Sequence, residues 1–192
     1  MAINFADAQQ LRRAQKHDRD AALAIVSRHG GAVYWFCLGV LGSVDQAEEL
    51  TVQVAQELLS GGGNYTHRKP VREQLLRRTA FHLRASVAGI ESGAPLPPGE
   101  GPLAATWRNL GRIVAVRAPG ERIAFYLWAT SGLKLEDAAE VLGKPVDALL
   151  ESFRPLLVNA GFRAPQKGDV GPLMDPGCPE RVLDHIHRVF DS

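Results

Sequence analysis

The side chains best suited to chemistry gather in one stretch of the chain. Between Thr66 and Arg84 stand Arg68, Lys69, Arg72, Arg77, Arg78 and Arg84, with Glu73 the one acid among them. Tyr65, His67, Phe81 and His82 are interleaved with these cations. Guanidinium and ammonium groups neutralise phosphates, and aromatic faces stack on unpaired bases, so the pattern suits a melted nucleic-acid strand. Arg77 and Arg84 lie seven residues apart and share one helical stripe. A solvated helix face would look similar, because Glu73 and Arg77 have the i,i+4 spacing of an ion pair. A second polar group is Gln46, Glu48, Glu49 and Gln53. It reads either as a contact surface for another protein or as an exposed face of good helix formers.

Other chemistries find no support. The chain has no Gly-rich phosphate loop, no nucleophile elbow, no HExxH and no evident pair of convergent carboxylates. No catalytic residue and no cofactor are assigned. Cys178, His185 and His187 are the kinds of residue that bind metal, but their spacing matches no zinc pattern, so no metal is expected. Trp35, Trp107 and Trp128 fall on apolar stripes and read as core or interface residues.

The elements that must hold these residues are helical in period. From Ala22 to Leu41, Ile25, Val26, His29, Val33, Phe36, Cys37 and Val40 recur at steps of three and four, just after Asp18, a plausible N-cap. Ser43 with Gln46 forms a weak capping box, and Ala47, Leu50, Val54 and Leu58 make the next apolar face, ended by Gly61, Gly62 and Gly63. Pro70 opens a helix whose stripe is Leu76, Ala80, Leu83 and Val87. Leu103, Trp107, Leu110 and Val114 form another stripe. Further helices are expected from Pro119 to Gly132, from Leu135 to Leu142, and from Pro145 to Ala160. No segment alternates with period two. The fold class is therefore all-α.

Gly and Pro divide the chain. GIESGAPLPPGEGP holds no helix, so residues 89–102 read as a linker between a domain at 1–88 and a second at 103–163. Residues 164–192 form a tail. Within it, Val182, Leu183, Ile186, Val189 and Phe190 make a short amphipathic helix from Pro179 to Phe190, expected to dock on the second domain.

The 192 residues are 45% hydrophobic and 22% charged, which suits folded domains and argues against disorder. A net charge of +1 supplies no global attraction to nucleic acid, so any such contact must be local. Two cysteines imply no disulfide framework, and the N-terminus lacks the apolar stretch of a signal peptide, so a cytoplasmic location is expected. No uncharged apolar run of bilayer length is evident, and membrane insertion is not expected.

LKLEDAAEVLGKPVDALLESF fits a helix-turn-helix, with Gly143 in the turn. Together with the basic helix ahead of it, the chain resembles the extracytoplasmic-function (group IV) sigma factors of bacterial RNA polymerase, as a divergent member. HDRDAALAIVSRHGGAVYWFCLGVLG is similar to the opening of their region 2, at Asp18, Ala21, Arg28, His29, Val33, Tyr34, Leu41 and Gly42. QAEELTVQV resembles their polymerase-clamp-binding motif, at Ala47, Glu48, Glu49, Leu50, Thr51 and Val54. REQLLRRTAFHLRA resembles the part of region 2 that grips melted promoter DNA. GLKLEDAAEVLG is similar to the start of the region 4 helix-turn-helix, at Gly132, Leu133, Asp137, Ala139, Glu140, Leu142 and Gly143.

The resemblance implies two small helical domains and a non-enzymatic initiation factor. Core RNA polymerase would be bound through Gln46, Glu48, Glu49 and Gln53. Promoter DNA would be bound through Arg68, Lys69, Arg72, Arg77, Arg78, Phe81, His82 and Arg84. An anti-sigma protein is the implied regulator. The chain also departs from the family. It carries no basic residue from Gly30 to Gly42, and Val52 and Ala55 stand where Gln and Phe are usual. Leu150, Ser152, Pro155 and Leu157 occupy positions where Lys or Arg is typical. From Lys134 to Arg163, four basic residues face five acids, which disfavours DNA binding by the helix-turn-helix and leaves Lys144, Asp147, Glu151 and Arg154 as weak candidates there. Pro155 removes one intrahelical hydrogen bond and is expected to kink its helix. The alternative is an interaction module or decoy that binds an anti-sigma or other protein without reading a promoter. An enzyme on a degenerate scaffold is a third reading.

Overall fold

Asp18 separates the first two helices of the chain. Its carboxylate accepts a hydrogen bond from the Ala21 N–H at 3.0 Å, and this caps a helix that begins at Arg19. The computed structural model describes residues 5–61, 70–86, 104–171 and 178–190, the side chains of 104–108 and 189–190 excepted. Among these residues the secondary structure is helical: α1 (Phe5–Ala14), α2 (Arg19–Leu41), α3 (Val44–Leu59), α4 (Val71–Ser86), α5 (Ala104–Ala115), α6 (Pro119–Ser131), α7 (Leu135–Leu142), α8 (Val146–Asn159) and α9 (Glu180–Phe190). The fold is all-α. One isolated bridge, Lys134 to Val170, pairs the turn before α7 with the strip of chain that follows α8.

The local punctuation acts as its residue types require. α2 ends at Gly42, whose φ of 71° suits a residue without Cβ and lets its N–H return to the Leu38 carbonyl. The Ser43 hydroxyl accepts from the Gln46 N–H at 3.4 Å to open α3. Gly143, at φ 65°, ends α7 and turns the chain into α8. α8 continues past Pro155, which lies exposed within it, so the proline does not end the helix. The linker expected at 89–102 lies outside the described residues.

α2 is the central helix. It packs against α1, α3, α4, α6 and α9, and Ile25, Phe36, Cys37 and Val40 are fully enclosed. By length and composition it could cross a membrane, although each 18-residue stretch of it includes Arg28; 72% of the apolar window is buried within the protein, as in a core helix.

The two helical segments on either side of residues 89–102 share a single hydrophobic core. Gly39 of α2 lies against the ring of Tyr126 in α6. A Cβ there would stand 2.7 Å from Tyr126 Cγ and 2.8 Å from Cε1, closer than carbon atoms approach. Arg84, near the end of α4, donates to the Leu142 carbonyl at 3.0 Å and so satisfies the C-terminus of α7. Phe125, Trp128 and Phe153 fasten α6 to α8, with Trp128 and Phe153 stacked at 5.5 Å and 24°. The strip after α8 lies along the same helix, where the Trp128 indole N–H donates to the Asp169 carbonyl at 3.2 Å.

The tail helix departs from expectation. α9 packs on α2 and α3 rather than on the α6–α8 group. Val182 and Ile186 are buried there. The physical reason is complementarity: α3 offers the Glu48 carboxylate to Arg181, at 3.2 Å, while α2 offers Gly30, whose missing side chain leaves room for Cys178.

Candidate functional site

α3 positions the four residues expected to contact polymerase. Ala47, Leu50 and Val54 are buried and fix the rotation of the helix, so Gln46, Glu49 and Gln53 are exposed on its outer side. Glu48 is half-buried, because α9 lies beside it and Arg181 pairs with it. Between the two helices runs a groove of about 570 Å³, lined on the α3 side by Asp45, Glu48, Glu49, Val52 and Gln53. Arg181, Val182 and His185 form its other wall. Tyr34 of α2 stands near the ion pair. Burial raises its phenol pKa above the ordinary value, Glu48 adds to the rise and Arg181 opposes it.

The basic cluster is only partly described. Arg68 and Lys69 lie outside the described residues. On α4, Val71, Leu75, Leu76, Ala80 and Leu83 are buried, which leaves Phe81 and Arg84 exposed and Arg72, Arg77, Arg78 and His82 half-covered. These cations have partners within the chain. Arg77 pairs with Glu73 at 3.1 Å, the i,i+4 contact that the spacing allowed. Arg78 and His82 converge on Glu57 of α3 at 2.5 and 3.0 Å, and Arg78 also lies 5.0 Å from the centre of the Phe81 ring. Burial is the largest influence on Glu57 and favours its neutral form. The hydrogen bonds and charges of Arg78 and His82 together outweigh it, holding the carboxyl below its ordinary range. Arg72 reaches toward Gly132 at the end of α6, its guanidinium 3.5 Å from where a Cβ would sit.

The α7–α8 pair exposes Lys144, Asp147, Glu151 and Arg154. Lys167 pairs with Asp147 at 2.9 Å on this surface. Val146, Leu149, Phe153, Leu156 and Leu157 face inward, so the outer side of α8 carries both signs of charge.

Cys178, His185 and His187 do not converge. Cys178 rests against Gly30, His185 lines the α3–α9 groove, and His187 Nδ1 accepts from Arg19 Nη2 at 2.6 Å. Among the described residues, no group of three metal-ligating side chains is found. Trp128 is buried and Trp35 packs partly against the core, whereas the side chain of Trp107 lies outside the described ones.

Two clusters were not foreseen from the sequence. Glu57 neutralises the centre of the basic helix, and its only local signal is the i,i+4 spacing from Gln53, which donates to it at 3.4 Å. Asp7, buried in α1, accepts from both Arg28 and His29, with His29 Nε2 3.0 Å from Asp7 Oδ2. Burial depresses the His29 pKa, Arg72 and Arg28 add to this, and Asp7 opposes it. No protein-family model matches the chain, and neither does any curated protein.

Proposed function

We propose that the chain is a sigma-factor-like transcription initiation protein, acting in the cytoplasm, that binds core RNA polymerase through α3 and melted promoter DNA through α4. The reading rests on the resemblance of residues 8–88 and 103–160 to group IV sigma factors. It includes their two-part organisation, with a region 2-like and a region 4-like unit. The observation that carries it is the orientation of α3. Gln46, Glu49 and Gln53 face outward together while Ala47, Leu50 and Val54 anchor the helix, which leaves the three polar side chains accessible to a partner. Glu49→Lys combined with Gln53→Lys alters only exposed positions, so it should weaken binding to core RNA polymerase by at least about tenfold while the fold persists. That size follows from like-charge contacts costing more than about 1.4 kcal/mol across an interface. Unchanged affinity at fixed salt would remove α3 as the interface.

One set of observations favours the second reading, an interaction module without promoter recognition. Arg77, Arg78, His82 and Arg84 each have an intramolecular partner, and the α7–α8 surface mixes both charge signs. Phosphates would have to compete with Glu73 and Glu57 for the cations. Transcription from a defined start site, directed by the purified protein with core polymerase, separates the readings. Polymerase or anti-sigma binding without such transcription would favour the module.

A further inference from the structure

The tail helix covers one of the four α3 residues that the proposed function assigns to polymerase, Glu48, and leaves Gln46, Glu49 and Gln53 exposed. Arg181 Nε lies 3.2 Å from Glu48 Oε1, so a residue expected to meet polymerase already has a cationic partner in the same chain. Val182 and Ile186 are 1% and 0% exposed, and Leu183 packs partly against the core, so α9 is seated by an apolar stripe at i, i+1 and i+4. Val52 of α3, 6% exposed, lines the same groove as Val182. Two further contacts hold the ends of the segment. Arg19 of α2 donates to His187 Nδ1 at 2.6 Å, and Cys178 lies against Gly30 of α2.

We propose that α9 is an intramolecular strap that covers the α2–α3 face and must swing away before a partner helix can reach Glu48. Its chemistry describes the competitor: an amphipathic helix with adjacent apolar residues and a flanking cation aimed at the Glu48 carboxylate. Binding would be weakened by the fraction of molecules in which the strap is closed, since the affinity seen is the intrinsic one scaled by the open population. The proposal rests on the reading of α3 as the polymerase-binding helix.

The position of Cys178 supplies a lock for the full chain. A Cβ on Gly30 would stand 3.5 Å from Cys178 Cβ and 2.8 Å from its sulfur. That separation lies in the range of about 3.5–4.5 Å that a disulfide spans. Gly30→Cys should therefore close a bond to Cys178 on mild oxidation, verified by mass and thiol count, with Gly30→Cys/Cys178→Ser as the control. Oxidised Gly30→Cys should bind core RNA polymerase at least about tenfold more weakly than the same chain reduced. Arg181→Glu, which sets a like charge against Glu48 without touching the apolar seat, should bind several-fold more tightly than the unaltered chain. If oxidised and reduced chains bind equally while Glu49→Lys/Gln53→Lys still weakens binding, the strap is overturned and the proposed function stands. If no form binds, the reduced and Arg181→Glu chains included, the proposed function fails and takes the strap with it. Failure of the bond to form would show that Cys178 is not held at Gly30, and would overturn the strap directly.

Discussion

Gly39→Ala tests the contact that joins the two halves of the core, because local and tertiary physics predict opposite signs. Within α2, replacing Gly by Ala should stabilise the helix by about 0.8–1.0 kcal/mol, since Ala loses less backbone freedom on folding. Against α6 the same methyl meets a ring. The new Cβ would lie 2.7 Å from Tyr126 Cγ and 2.8 Å from Cε1, and Tyr126 is completely enclosed, so the ring cannot swing into solvent. Relief requires α2 and α6 to separate, and overpacking of this kind costs about 1–3 kcal/mol or more. The net expectation is a loss of about 0–2 kcal/mol, toward the upper end because the contact is with an enclosed ring. In a chain of 192 residues this lowers Tm by about 2–4 °C per kcal/mol. Thermal and denaturant unfolding of the two chains measure it. A double-mutant cycle with Tyr126→Leu, which shortens the opposing side chain, should turn the Gly39→Ala effect neutral or favourable. An increase in Tm for Gly39→Ala alone would refute the close contact, and with it the shared core between the two segments.

The remaining predictions follow from the buried His29–Asp7 pair and the half-buried Glu57 cluster. His29 has a folded-state pKa below its ordinary value of 6.5, so the folded chain binds fewer protons than the unfolded one, and stability should fall as pH drops below about 6.5. Denaturant midpoints between pH 7.5 and 5.5 should slope less steeply in His29→Gln, whose side chain does not titrate; equal slopes would show that His29 is not the group responsible. Glu57→Gln removes the charge shared by Arg78 and His82. Under the proposed function it should tighten binding to single-stranded promoter DNA and steepen the salt dependence by about 0.7 in log–log slope for each additional phosphate neutralised. An unchanged slope would mean that Arg78 does not face the DNA.

Most of the helices were legible in the sequence, α1 (Phe5–Ala14) excepted. Asp18, Ser43, Gly42 and Gly143 act through their own φ/ψ and nearest hydrogen bonds, and the apolar stripes act through a period of 3.6, so each is legible within a few residues. The sequence also determined which side of α3 would be buried, since Ala47, Leu50 and Val54 repeat at helical spacing. Partners across the fold were decided by the tertiary structure. Glu57 meets Arg78 and His82 only because α3 and α4 pack at one register, and no local rule pairs residues 21 and 25 positions apart. Gly39 reads as a weak point in a helix until Tyr126 arrives from α6. The amphipathic period of the tail foretold that α9 would be a helix and would dock. Its site on α2 and α3 was chosen by charge and space, through Arg181 on Glu48 and Cys178 against Gly30. Helical periodicity depends on distances along the chain, whereas docking depends on which faces remain uncovered after every other helix has packed.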